Sequence, residues 1–92
     1  MLQAGVSKEK LPARLEAARK RVAGDIGVSV DDVSILSFEF TEWQDSCLGV
    51  KLPDEICGEM IVPGYKVKIQ ANNKTYEAHT NADGSVVYWF ES

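Results

Sequence analysis

The strongest constraint on this chain is in its last third, where apolar and polar side chains alternate with a period of two. Tyr65, Val67, Ile69 and Ala71 alternate with Lys66, Lys68 and Gln70, and Tyr76, Ala78 and Thr80 alternate with Thr75, Glu77 and His79. A period of two puts one set on each face of a pleated strand, so both segments predict half-buried β-strands. Asn72-Asn73 joins them as a tight turn, because asparagine tolerates positive φ. Asn81-Ala82-Asp83-Gly84 is a second turn, and Ser85 to Phe90 is the last strand. On that strand Val86, Tyr88 and Phe90 share one face, and Val87 and Trp89 the other. Residues 65–90 therefore predict a three-stranded antiparallel meander, which needs something to cover its apolar face.

The cover is predicted upstream. Leu11, Leu15, Ala18, Val22 and Ile26 are spaced by four, three, four and four residues, which draws one apolar stripe along a helix over residues 8–27. Ser7 is the expected N-cap, and Pro12 is tolerated only in the first turn. Gly24 or Gly27 supplies the stop. Residues 1–7 read as a loose lead-in. Ser29-Val30-Asp31-Asp32 has the form of a one-turn cap. Residues 33–41 predict a strand whose parity switches between Val33/Ile35 and Leu36/Phe38/Phe40, which implies a bulge or burial of both faces. With 92 residues the chain has room for one domain. The expected fold is α+β, an N-terminal helix packed on one face of a roughly four-stranded antiparallel meander.

Between strand and meander, residues 44–64 read as a long loop, with Pro63-Gly64 as a turn after a short strand at Glu59 to Val62. Its two cysteines, Cys47 and Cys57, are ten residues apart around Gly49, Pro53 and Gly58. The spacing is not C-x-x-C, and no third or fourth ligand of the usual kind accompanies it. A disulfide is favoured over two free thiols, and both over a metal role; the bridge implies an oxidising compartment. Met1 to Gly5 lacks a basic n-region and an apolar h-region. Two expectations remain, a cytosolic chain or a mature form whose leader has been removed. The cysteines favour the second, placing the protein in the periplasm or outside the cell.

The net charge of −4 is unevenly spread. Residues 1–30 carry +3, with Arg19-Lys20-Arg21 read as a solvated helix face. Residues 31–62 carry −7, from Asp31, Asp32, Glu39, Glu42, Asp45, Asp54, Glu55 and Glu59 against Lys51. Such a chain is a poor nucleic-acid binder, since phosphate neutralisation supplies most of that affinity. The longest apolar runs are two or three residues, too short for a transmembrane segment.

Little in the sequence carries catalysis. His79 stands alone in a polar strand setting, and a Cys/His enzyme would need Cys47 or Cys57 beside it together with an oxyanion site. Asp45, Asp54, Glu55 and Glu59 lack the ordered spacing of a calcium loop. Ser46 lacks a nucleophile elbow, and no phosphate-binding glycine loop is present. Asn73-Lys74-Thr75 matches a glycosylation pattern that a hairpin turn explains equally well. The expectation is a non-enzyme with no cofactor and no metal. The aromatic residues offer the better candidates. If Val86, Tyr88 and Phe90 face the helix, Trp89 faces outward on a half-open sheet; otherwise it packs under the cysteine loop in a second small core. The candidate binding surface is Trp43, Asp45, Glu55, Tyr65, His79 and Trp89.

Trp43 to Gly49 (W-x-[DN]-x-C-L-G), Pro63 to Tyr65 (P-G-Y) and Tyr76 to Thr80 (Y-x-x-H-T) resemble segments shared by a group of small uncharacterised exported bacterial proteins, cyanobacterial ones among them. The resemblance spans about Leu11 to Tyr88 and carries no assigned activity. More loosely, the helix-then-meander order resembles PepSY and β-lactamase-inhibitor-protein-like domains. That resemblance implies a module that binds or restrains peptidases or other exported partners. The functional expectation is a small exported, monomeric binding module for a protein or peptide, with the looser resemblance implying an inhibitor-like role. The alternatives are a structural accessory domain or lipoprotein fragment and, more weakly, a Cys/His enzyme.

Overall fold

The computed structural model describes residues 13–50 and 55–92, with side chains from Leu15 onward. The expected lead-in, Ser7, Leu11, Pro12 and loop residues 51–54 lie outside the described residues. Helix α1 spans Ala13–Ile26. Its stripe is the predicted one. Leu15, Ala18 and Val22 are fully buried with Ala23 beside them, and Ile26 packs partly against the same core. Gly27 ends the helix at φ 79°, where the Gly27 and Val28 amides both reach back to the Ala23 carbonyl; glycine adopts this left-handed conformation without a steric cost. A single 3₁₀ turn, Val30–Asp32, follows and is capped by the Ser29 hydroxyl accepting from the Asp31 amide.

Four antiparallel strands then form one sheet in sequence order: β1 Ser34–Asp45, β2 Glu59–Ala71, β3 Lys74–Asn81 and β4 Val87–Glu91. The β2–β3 hairpin turns on Asn72 and Asn73, both at positive φ, as the alternation predicted. The parity switch in β1 is a register shift between Ile35 and Ser37. Val67, Ile69 and Ala71 of β2, Tyr76 and Ala78 of β3 and Val87 of β4 meet the helix stripe in one core. Each large apolar side chain buried there contributes roughly 1.5–3 kcal/mol. The helix packs on β2, β3 and β4.

Three expectations change. The first strand runs on to Asp45, so Trp43 sits inside β1 and not at the start of a loop. Pro63-Gly64 makes no turn. Glu42 pairs with Pro63 and Thr41 with Gly64 within a continuous 13-residue β2, which shortens the loop to residues 46–58. Proline fits there because β3 ends at Asn81, opposite Gly64; beyond that point β2 has a partner only on the β1 side, and the missing N–H breaks no ladder. In β4 Trp89 takes neither of its two expected places: with Val87 it turns toward the helix core, and Phe90 packs on His79 across the opposite face.

Candidate functional site

The start of the disulfide loop, residues 46–49, is folded onto the face of the sheet away from the helix. Cys47 and Cys57 are bonded, with Cα atoms 5.4 Å apart. Ser46 and Gly58 brace the bridge. The Ser46 amide donates to the Gly58 carbonyl at 2.9 Å, and the Gly58 amide donates to Ser46 Oγ at 2.8 Å. Asp45 Oδ1 accepts from the Cys47 and Gly49 amides at 3.0 and 3.1 Å. That carboxylate holds the chain through a left-handed pair, Leu48 and Gly49 at φ 56° and 76°. Leu48 is thereby pressed into the protein, 1% exposed. Gly49 lies against the Trp43 ring, where a Cβ would come within 3.3 Å of the indole.

Under this loop Trp43 and His79 stack, with ring centroids 4.1 Å apart and planes 20° from parallel. Trp43 Nε1 donates to the Thr80 carbonyl at 3.0 Å, reaching from β1 across β2 to β3. Between them lies Gly64, where a Cβ would overlap the Thr80 carbonyl oxygen. The His79 ring meets Leu48 O at Nδ1 and Glu77 Oε2 at Nε2, both at 2.6 Å. A carbonyl only accepts, so Nδ1 donates to the loop. Burial works to raise the Glu77 carboxyl, but the His79 hydrogen bond, the charges of Lys66 and His79 and the Lys68 hydrogen bond outweigh it and hold Glu77 below the ordinary carboxylate range. Phe90 closes the cluster edge-on to His79. This is a second small core, built on Trp43 and His79 and not on Trp89.

The sequence-derived candidates therefore fall in three places. Trp43, Asp45 and His79 come together around the disulfide loop, where the first and last are buried. Glu55 is exposed on the same loop. Tyr65 and Trp89 lie on the helix-bearing face. Trp89 packs edge-on to Tyr76 and donates from Nε1 to Asp25 Oδ2 at 2.6 Å. That bond, followed by the hydrogen bond and charge of Arg21, holds the Asp25 carboxyl below its ordinary value. Trp89 thus ties the end of α1 to β4.

One surface escaped the sequence reading. Phe38 and Phe40 pair with Val67 and Tyr65, and directly opposed residues point to the same face. Both phenylalanines thus lie on the helix-bearing face, on edge strand β1, past the strands on which the helix packs. They remain 44% and 59% exposed, and the neighbouring Leu36 53%. Phe38 and Phe40 each meet Tyr65 edge-on, at 6.3 and 5.9 Å, so the rings form one continuous aromatic row. Met60, Ile61 and Ile56 are also exposed, at and before the start of β2. The apolar run in β1 was the available signal, but a strand buried on both faces has the same pattern.

Among the described residues, Asp45, Cys47 and Cys57 bring three metal-ligand atoms within 4.8 Å of one another. The two sulfurs are bonded to each other and Asp45 Oδ1 already accepts two amides, so the cluster works as a braced turn. A shallow recess of about 280 Å³, lined by Val62, Pro63, Asn81, Ala82 and Asp83, holds one carboxylate and no nucleophile. No helix among the described residues is long and apolar enough to cross a membrane.

Over residues 15–89 the chain matches the family described as Domain of unknown function (DUF8738), and it belongs to that family. No curated protein and no solved structure matches it. The likeness to PepSY and inhibitor-protein-like domains rests on element order alone.

Proposed function

We propose that this member of a family without an assigned activity is a small binding module that recognises a protein or peptide partner through the β1 side of its sheet. The carrying observation is the exposed pair Phe38 and Phe40 on edge strand β1, each edge-on to the half-buried Tyr65 of β2. A contiguous apolar surface of this kind has a cost in water and marks interaction sites more often than chemistry. The state of the chain's nucleophiles supports the same reading. Both cysteines are bonded to each other, and both His79 ring nitrogens are engaged, so neither side chain offers a nucleophile or a general base. The Cys47–Cys57 bridge supports an oxidising, exported setting.

The test compares capture of partners from periplasmic and extracellular fractions by the native chain and by the Phe38→Ser/Phe40→Ser double variant, with thermal unfolding as a folding control. Both phenylalanines are half exposed, so the variant is expected to fold and to lose a partner that the native chain retains. An identical captured set from both chains would refute the surface assignment. Thiol titration of unreduced protein checks the compartment, with no reaction expected before a reductant is added.

A further inference from the structure

Strand β1 has a free edge in addition to its aromatic row. It is the first strand in the sheet order, so one side of its backbone has no strand partner among the described residues. It is also long, 12 residues, or roughly 40 Å at 3.3 Å per residue. The opposite edge, β4, has only five residues and is tied to the helix by the Trp89–Asp25 bond. Long open edges are normally protected by proline, lysine or repeated bulges. From Ser34 to Asp45 there is no proline and no cation, and the pairing with β2 is irregular only toward the two ends, between Ile35 and Ser37 and between Trp43 and Asp45.

The edge does carry charge, all of one sign. Glu39, Glu42 and Asp45 lie along β1, and Asp31 and Asp32 precede it. Among the described residues no cation is within ion-pair distance of the three strand carboxylates. Lys66 stands directly across from Glu39 in the β1–β2 ladder without reaching ion-pair distance, and its charge also bears on Glu77; Lys68 pairs with Glu77 at 3.5 Å.

We infer that the β1 edge takes up an extended segment of a partner chain as a fifth strand, and that this segment alternates apolar with basic residues. The inference rests on the binding role proposed above and specifies its partner. The free backbone groups of β1 supply the ladder, the usual mode of strand addition. Apolar side chains of the incoming strand lie beside Phe38 and Phe40 on one face. On the other face lysine or arginine meets Glu39, while Glu42 adds its charge beside the aromatic row; opposite charges across a strand pair attract and like charges repel. The same rule disfavours a second copy of this chain, because two paired β1 edges would bring Glu39 and Glu42 of each strand together with no cation between them.

The probe is a ten-residue peptide of alternating valine and lysine with blocked ends. It is compared with a valine–glutamate peptide of equal length and with the lysine peptide carrying prolines at its centre. Amide hydrogen exchange and fluorescence anisotropy are read on the full chain at pH 7. The expected result is protection of amides within Ser34–Asp45 on adding the lysine peptide, with about tenfold weaker binding of either comparison peptide. A Glu39→Gln/Glu42→Gln variant is expected to lose most of the preference for lysine over glutamate. Equal binding of the proline peptide would reduce the effect to general charge attraction and overturn the inference. So would equal binding of the glutamate peptide, protection at β4, or β1 amides already protected in the free chain by its own leading residues or a second copy. A native chain that shows no preference for lysine over glutamate, yet keeps its Phe38/Phe40-dependent capture, would sink this inference and leave the binding role standing.

Discussion

Gly64 is the residue with the least freedom. A Cβ there would overlap the Thr80 carbonyl, a backbone atom that no rotamer can move. Since the same carbonyl accepts from Trp43 Nε1, a side chain at 64 would disturb the β2–β3 pairing and the Trp43 bridge together. Gly64→Ala is expected to cost about 2–4 kcal/mol, more than most substitutions, measured by urea unfolding; a change under about 0.5 kcal/mol would contradict the close approach. Glu77 gives a pH-dependent counterpart. Its carboxyl titrates below the ordinary range when folded, so its stabilisation is fully present above the unfolded value, near 4.3, and is lost as pH falls through the folded value. Glu77→Gln should therefore be less stable than the native chain at pH 7. The difference should shrink in acid and nearly vanish by about pH 2, a gap that equilibrium unfolding at several pH values would follow. A constant gap would mean that shape and not charge accounts for the loss.

At the level of elements, the legible parts were those where one physical rule acted alone. The helix stripe, the alternation in residues 65–71 and 75–80 and the Asn72-Asn73 turn each depend on local spacing, and the structure has all three. The misread parts needed information from a neighbour. Pro63-Gly64 is a turn signal in isolation; what overrides it is the end of β3 opposite Gly64. In β4 apolar residues occupy both parities, so the pattern cannot choose a face. The choice is made by the preceding turn, where Asn81 Oδ1 accepts from the Val86 amide and Val87 is set opposite Thr80. The disulfide loop was legible as a cross-link but not as a lid over Trp43 and His79, because its left-handed Leu48 is held by Asp45 and not by local preference. An eleven-residue closed loop predicts about 2.8 kcal/mol of stabilisation from chain entropy. Cys47→Ala/Cys57→Ala should lower the Tm by roughly 10–20 °C in a domain of this size. The Trp43 indole and His79 ring resonances should move with it, since the Leu48 carbonyl and Gly49 lie against them. A stability loss without movement of those resonances would show a loop that keeps its place unaided.

At the scale of the whole molecule, apolar exposure and charge are arranged against each other. The described part of the helix packs mainly on β2, β3 and β4, and β1 joins that core only at Ile35, so the rest of β1 carries Phe38 and Phe40 exposed at the sheet edge. An uncharged edge of this length would pair with its own kind. Asp31 and Asp32 before β1 and Glu39 and Glu42 along it give that edge a negative field, which opposes self-pairing at neutral pH while leaving a basic strand free to approach. This balance depends on ionisation. Near the isoelectric point of about 4.9 the net charge vanishes, and the repulsion that holds copies apart weakens while the apolar row is unchanged. Sedimentation velocity should therefore show a monomer at pH 7 in low salt and a mass that rises with concentration near pH 4.9. Added salt at pH 7 should move the chain part of the way, because a Debye length of about 8–10 Å screens carboxylates on facing strands only incompletely. The Phe38→Ser/Phe40→Ser variant should stay monomeric under all three conditions. If it associates as readily as the native chain, the contact lies elsewhere on the surface and the acidic edge is not what keeps copies apart; if the native chain stays monomeric at pH 4.9, the bare edge is protected by something other than charge.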